Sequence, residues 1–121
     1  MQTDTISFLR LLKNDEFEIS LIQFQDNDIF FQFAPSLDVI GYGKNDVEAE
    51  NSFGIALEEF LKYTKENNTL EKNLIELGWK YDEINDKLIP PKDSELINSN
   101  SSYKDILNDK AYTKNRIKIS F

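Results

Sequence analysis

The stretch from Phe30 to Tyr63, FFQFAPSLDVIGYGKNDVEAENSFGIALEEFLKY, decides how this chain folds. Together with Ile29, its opening residues form an aromatic-rich strand, which Pro35 ends because proline cannot donate to a ladder. Val39 to Tyr42 then make a short strand, closed by Gly41 and Gly43. Asn45 is a good helix N-cap and Glu48, three residues on, completes a capping-box pattern. With Asp46 and Glu50 it also places negative charge at the positive end of the helix dipole. Ala49, Phe53, Ala56, Leu57, Phe60, Leu61 and Thr64 recur at helical spacing on one face, while Glu48, Asn51, Glu58, Glu59, Lys62 and Lys65 lie elsewhere. Burying each large apolar side chain of that face stabilises by about 1.5 to 3 kcal/mol, against roughly 0.2 to 0.5 for an exposed pair such as Glu58 and Lys62. Packing on a sheet, rather than surface charge, must hold this helix.

Upstream, Phe17, Ile19 and Leu21 alternate with Glu18 and Ser20, a half-buried strand that continues through Gln25. Asp26-Asn27-Asp28 supplies turn residues that tolerate left-handed backbone, so this strand and Ile29 to Ala34 form an antiparallel hairpin. On the return strand Ile29, Phe31 and Phe33 share one face, and this aromatic face is expected to lie under the helix. Further upstream, Ile6, Phe8, Leu9, Leu11 and Leu12 fit a helical stripe after Asp4 as well as they fit a buried strand.

Downstream, Asn67-Asn68 breaks the long helix. Thr69 to Gly78 reads as a second, shorter helix with Thr69 as N-cap and Gly78 in the left-handed position that terminates it. Trp79 is expected to fold back on Leu74 and Leu77. Tyr81 to Leu88 has an extended pattern, Pro90-Pro91 stops regular structure, and Asn98 to Ser102 reads as a polar linker. Lys114 to Phe121 alternates again, with Lys114, Arg116, Lys118 and Ser120 on one face and Ile117, Ile119 and Phe121 on the other, a late strand returning to the sheet. The expected fold is α+β: a three- to four-stranded antiparallel sheet with one long and one short helix packed on one face. It forms a single domain over residues 1–121, with a core at about 16–80 and a C-terminal extension over 81–121.

Composition narrows the chemistry. The chain has 121 residues, 40% of them hydrophobic, enough for one core. It has no cysteine and no histidine, which excludes disulfides, thiolate metal sites and imidazole acid-base catalysis. No apolar run approaches the roughly 20 residues needed to span a bilayer, and Asp4 stands where a signal peptide carries positive charge, so a cytoplasmic protein is expected. Residues 1–103 hold nine Lys and Arg against twenty Asp and Glu, a net of -11, whereas 104–121 carry +3. The acidic body is expected to repel nucleic acid; it reads first as solubilising surface, and the same field would steer a basic protein into contact.

Catalytic signals are few. Among the carboxylates only Asp38, between Leu37 and Val39, stands out, and a turn-forming role accounts for it better than chemistry does. Gly41 and Gly43 precede Lys44 without the spacing of a phosphate-binding loop, and no calcium-loop spacing occurs. No catalytic residue, metal or cofactor is therefore expected. Lys114, Arg116 and Lys118 are the best candidates for a nucleic-acid contact, because alternate strand residues present their charge on one face. The same stripe also reads as an edge strand guarded by charge against aggregation.

The segment from Glu18 to Tyr63 resembles the HicB-like antitoxin family in its strand pair, its Pro35-Ser36-Leu37 turn, Gly41 and Gly43, and a helix that opens Asn45-Asp46-Val47-Glu48-Ala49. Leu77-Gly78-Trp79 after the helix is similar to one subgroup. The resemblance implies a partial ribonuclease H-like fold without enzymatic activity, and a protein that binds and neutralises a small basic RNA-cleaving toxin of the HicA type. A DNA-binding segment often follows in that family. Here Arg116 to Phe121 could be the ribbon, but the sequence departs from the family pattern by stopping before any helices, and operator repression is not part of the expectation. The alternative is a stand-alone interaction or assembly module, such as a homodimer that uses an edge strand or the aromatic Phe30 face.

Overall fold

A computed structural model describes residues 16–121. The ambiguous stretch Asp4 to Leu12 lies outside the described residues. The elements follow the order β1 (Glu16–Asp26), β2 (Ile29–Ala34), β3 (Val39–Gly43), α1 (Asp46–Glu66), α2 (Leu70–Glu76), β4 (Lys80–Asp82), β5 (Lys87–Ile89), α3 (Asp93–Ser99), α4 (Ser101–Asp109) and β6 (Tyr112–Ser120). β3, β2, β1 and β6 make a four-stranded antiparallel sheet in that order, and β4 and β5 make a separate hairpin. The α+β class and the antiparallel sheet are as expected. Among the described residues there are four helices rather than two, and they cover both faces of the sheet.

The first turn forms as its residues dictate. Asn27 and Asp28 both take positive φ, 51° and 65°, which matches the right-handed twist of a tight hairpin. Asp38 also sits at positive φ in the turn between β2 and β3, whose N–H bonds run from Leu37 to the Ala34 carbonyl and from Asp38 to the Pro35 carbonyl. Asn45 caps α1, its Oδ1 accepting the Glu48 N–H at 2.9 Å. The return bond of the box differs from the expected one, because Glu48 accepts from the Asn45 side-chain amide. Thr69 stands at the N-cap of α2, but its side chain does not cap; it accepts from Asn73 instead. Gly78 has φ of 101° and ends α2 as expected.

Two corrections concern the sheet faces. Across β2 and β3, Gln32 pairs with Gly41 and Phe33 with Ile40, so Gly41 shares a face with Gln32 and Ala34. A Cβ at Gly41 would lie 2.1 Å from the Phe53 nitrogen, and one at Gly43 would lie 2.4 Å from the Glu48 Cβ. The two glycines therefore do more than stop a strand: they let the backbone of α1 rest on β3. α1 thus covers the Gln32 and Ala34 face, and the Phe31 and Phe33 face points the other way. That second face is covered by α3 and α4, where Leu96 and Tyr103 bury against Ile22 and Phe33. The stretch Asn98 to Ser102, expected as a linker, is the junction of these helices. Asn100 closes α3 and caps α4, its Oδ1 accepting the Tyr103 N–H at 3.0 Å.

The larger core lies on the α1 side. Phe17, Ile19, Leu21, Ala34, Leu37, Val39, Phe53, Leu70, Leu74, Trp79, Leu88, Ile119 and Phe121 are buried there, with Ala56, Leu57, Phe60 and Leu61 packed on them. Trp79 folds onto α2 as expected and also reaches across the fold. Its ring meets Phe17 and Phe121 edge-on at 5.5 and 5.7 Å, and its indole N–H donates to the Ser36 carbonyl at 2.8 Å. Thr64, buried within α1, satisfies its hydroxyl on the Phe60 carbonyl at 2.7 Å. The late strand β6 pairs with β1 from Ser120 opposite Glu16 to Tyr112 opposite Phe24.

Candidate partner-binding surface

Strand register builds one feature that no single segment contains. Tyr42 lies opposite Phe31, Phe31 opposite Phe24, and Phe24 opposite Tyr112. Directly paired residues share a face, so four aromatic rings form one row across all four strands. With strands about 4.8 Å apart the row is roughly 14 Å wide. The Phe24 and Phe31 rings stack at 4.9 Å and 10°, and the Phe31 and Tyr42 rings lie at 6.3 Å. Phe24 of the row packs against the same buried cluster of Ile22, Phe33, Leu96 and Tyr103 as Ile106 and Leu107 of α4. The outer rings stay open: Tyr42 is 63% exposed and Tyr112 44%, and Ile40, two residues from Tyr42 on the same face, is also exposed. Phe24 and Phe31 are half-buried. Aromatic rings that are held rigidly and left partly exposed are the side chains that anchor protein interfaces.

Charge beside the row is mixed. Asp26 and Asp28 lie at the β1–β2 turn, and Asp26 pairs with Lys110 at 3.2 Å. Further along the same face runs a polar seam. Ser20 donates its hydroxyl to Asp93 at 3.0 Å, the Lys114 ammonium contacts the same carboxylate, and Arg116 Nη1 donates to Ser20 Oγ at 3.4 Å. This seam joins α3 to the β1–β6 pair. The basic stripe is therefore divided: Lys114 is engaged by Asp93, Arg116 leans on Ser20, and Lys118 stands opposite Glu18 in the ladder. Asp38, far from the stripe, accepts from Asn100 Nδ2 at 3.3 Å and so ties the β2–β3 turn to the helix junction. Gly41 and Gly43 lie under α1.

The hydrogen bond to Asp93 holds the Lys114 ammonium above its ordinary value of 10.5, chiefly as a donor to that carboxylate. Burial raises the Tyr103 phenol above 10.0, with Asp93 adding to it and Lys114 opposing it. The Tyr103 hydroxyl has no partner of bonding geometry. Both shifts have one sign. Each group holds its proton more tightly in the folded chain, so the stabilisation is complete below the unfolded values and is lost as pH rises through the folded ones. Thermal stability is expected to fall above about pH 10. The Asp93→Asn variant, measured over the same range, should show a shallower decline; an identical decline would remove the seam as its cause.

Elsewhere the Asp82 carboxyl, at the end of β4, is lowered by donation from the Asn85 side chain, and that of Glu95, in the first turn of α3, by the Lys92 N–H. The Tyr81 hydroxyl is raised by its bond to Asp86. These interactions close the β4–β5 hairpin and the start of α3. Among the described residues no group of three or more acidic side chains is placed to hold a metal ion, and no helix is long and apolar enough to cross a membrane. No family model, no curated protein and no solved structure matches the chain.

Proposed function

We propose that this protein is a non-catalytic antitoxin-like binding protein that occludes a small basic RNA-cleaving toxin. The observation that carries the reading is the row Tyr42, Phe31, Phe24 and Tyr112, a rigid aromatic platform on a chain of net charge -8. A basic partner satisfies both features, since arginine guanidinium groups stack on aromatic faces and the acidic surface speeds encounter. The resemblance of Glu18 to Tyr63 to HicB-like antitoxins supplies the class of partner. In this reading the protein works by contact alone, and inhibition follows from covering the toxin rather than from any reaction.

A second reading is a stand-alone assembly module. It is favoured by β6, a nine-residue strand at the edge of the sheet. Edge pairing between two copies would bring Lys114, Arg116 and Lys118 of each close to their counterparts, a repulsion that weighs against it. The experiment that separates the two readings is co-expression with the product of the adjacent reading frame, which the first reading requires to be a small basic protein. Stable co-purification as a hetero-complex supports the first reading. Recovery of the protein only as a complex with itself supports the second.

A further inference from the structure

On the face of the sheet opposite the aromatic row, a groove of about 840 Å³ lies between α1 and the strands β1, β2 and β6. Its apolar lining is Leu21, Phe53 and Ile117, and the strand register sets a pair of side-chain amides among them, Gln23 of β1 directly opposite Gln32 of β2. The two amides differ. Gln23 Oε1 accepts from Asn115 Nδ2 at 3.0 Å, whereas the amide of Gln32, a residue only 5% exposed, bonds to no described residue. A buried amide without a partner costs free energy, and its donors and acceptor are left for a ligand. Gly54, on the wall formed by α1, points the same way. Gly41 and Gly43 seat α1 and Gly78 takes positive φ, but a Cβ at Gly54 would meet no described atom within 4 Å, and glycine inside a helix is less stable than alanine. No contact among the described residues calls for glycine there, and its missing side chain lets another backbone approach α1. The charged side chains that line the groove, Glu50 and Glu58, stand one turn to either side of Gly54, and both are exposed and acidic.

We propose that this groove binds an extended, basic peptide segment of a partner protein, with the pattern basic-x-apolar-x-basic. The amide selects a peptide, because a peptide group carries one donor and one acceptor and so satisfies both ends of the Gln32 side chain. The spacing of the carboxylates sets the pattern. Glu50 and Glu58 are eight residues apart on α1, about 12 Å along its axis. An extended chain covers about 13 Å in four residues, so side chains at i and i+4 reach the two carboxylates while the one at i+2, on the same side of the peptide, lies against Leu21, Phe53 and Ile117. Arginine suits the two outer positions better than lysine, since its planar guanidinium pairs with a carboxylate through two parallel bonds. A net charge of -8 favours the approach of such a segment. The inference goes beyond the toxin reading and does not rest on it, as it concerns the opposite face of the sheet from the aromatic row.

The test uses the isotope-labelled full chain and the end-blocked peptide Arg-Ser-Leu-Ser-Arg. Titration followed by NMR should shift the side-chain amide signals of Gln32 and the backbone amide of Gly54, and the acidic counterpart Glu-Ser-Leu-Ser-Glu should shift neither. Gly54→Leu fills the space beside α1 with a better helix former, so thermal stability should hold or rise while affinity for the arginine peptide falls at least about tenfold. Glu50→Gln with Glu58→Gln should weaken binding by about tenfold and flatten its salt dependence. Tyr42→Ala with Tyr112→Ala, which disables the aromatic row, should bind the peptide as the wild type does, so that failure of the toxin reading and failure of this one are separate results. Unmoved Gln32 signals, equal shifts with the acidic peptide or with spermidine, or full affinity in Gly54→Leu would overturn the inference. Gln32 and Gly54 signals that move with protein concentration alone would also overturn it, by making a second copy the occupant.

Discussion

Gly41→Ala is expected to destabilise the fold by at least about 3 kcal/mol, beyond most small-to-large substitutions. The added methyl would meet the Phe53 nitrogen at 2.1 Å, the Phe53 Cα at 2.5 Å and the Phe53 Cβ at 2.8 Å. Two of these three atoms are backbone, so no rotamer change relieves the clash and α1 must lift from β3 along much of its first turns. Lifting α1 would loosen Phe53 and the residues packed with it. Urea unfolding of the variant measures the loss. A cost below about 1 kcal/mol would mean that α1 does not seat on β3, since overpacking a tight contact costs 1 to 3.

Trp79→Ala is expected to cost about 3 to 5 kcal/mol, the range for truncating a large buried aromatic. Trp79 is 2% exposed and connects parts of the chain that are distant in sequence: Phe17 at the start of β1, Ser36 in the β2–β3 turn, Leu74 on α2 and Phe121 beyond β6. Trp79→Phe separates two contributions. It keeps most of the apolar contact with Phe17 and Phe121 but removes the donor to the Ser36 carbonyl, and an orphaned buried acceptor costs about 1 to 3 kcal/mol. Thermal unfolding should therefore rank wild type above Trp79→Phe and Trp79→Phe above Trp79→Ala. Equal stability of Trp79→Phe and the wild type would mean that the hydrogen bond contributes nothing, and equal stability of the two variants would mean that the ring contacts with Phe17 and Phe121 contribute nothing.

The elements that were legible in the chain are those whose causes are local. The hairpin at Asp26-Asn27-Asp28, the Asn45 cap, the apolar stripe of α1 and the Gly78 stop each depend on residues within a turn or two of one another. The side of the sheet on which α1 sits was not legible from β2 alone. Alternation marks Phe31 and Phe33 as the more apolar face, yet Gly41 and Gly43 decide the matter by leaving room for a backbone on the other. α3 and α4 escaped notice for a different reason. Their sequence from Asp93 to Asp109 is rich in Ser, Asn and charge, and its helicity rests on Asn100 capping α4, on the Lys92 N–H bound by Glu95, and on burial of Leu96 and Tyr103 against the sheet. Helices this short gain stability from packing, which a single segment does not display. The aromatic row was hidden for the same reason. Phe24, Phe31, Tyr42 and Tyr112 come from four strands, and the last of them joins the row only because β6 returns beside β1. The basic stripe was visible as alternation, but its partner Asp93 lies 21 residues from Lys114 and on another element.

The central claim, that this protein acts by binding a basic toxin through its aromatic row, is tested most directly by growth rescue. The account requires a small basic toxin encoded beside this protein; expressed alone, that toxin should arrest growth, and co-expression of this protein should restore it. Tyr42→Ala combined with Tyr112→Ala removes the two exposed rings without touching the core, and should cost about 2 kcal/mol or more of binding if these are anchor residues. The account predicts rescue by the wild type and its loss in the double variant at unchanged thermal stability. Full rescue by the double variant would contradict the assignment of the surface, and no rescue by the wild type would contradict the function itself.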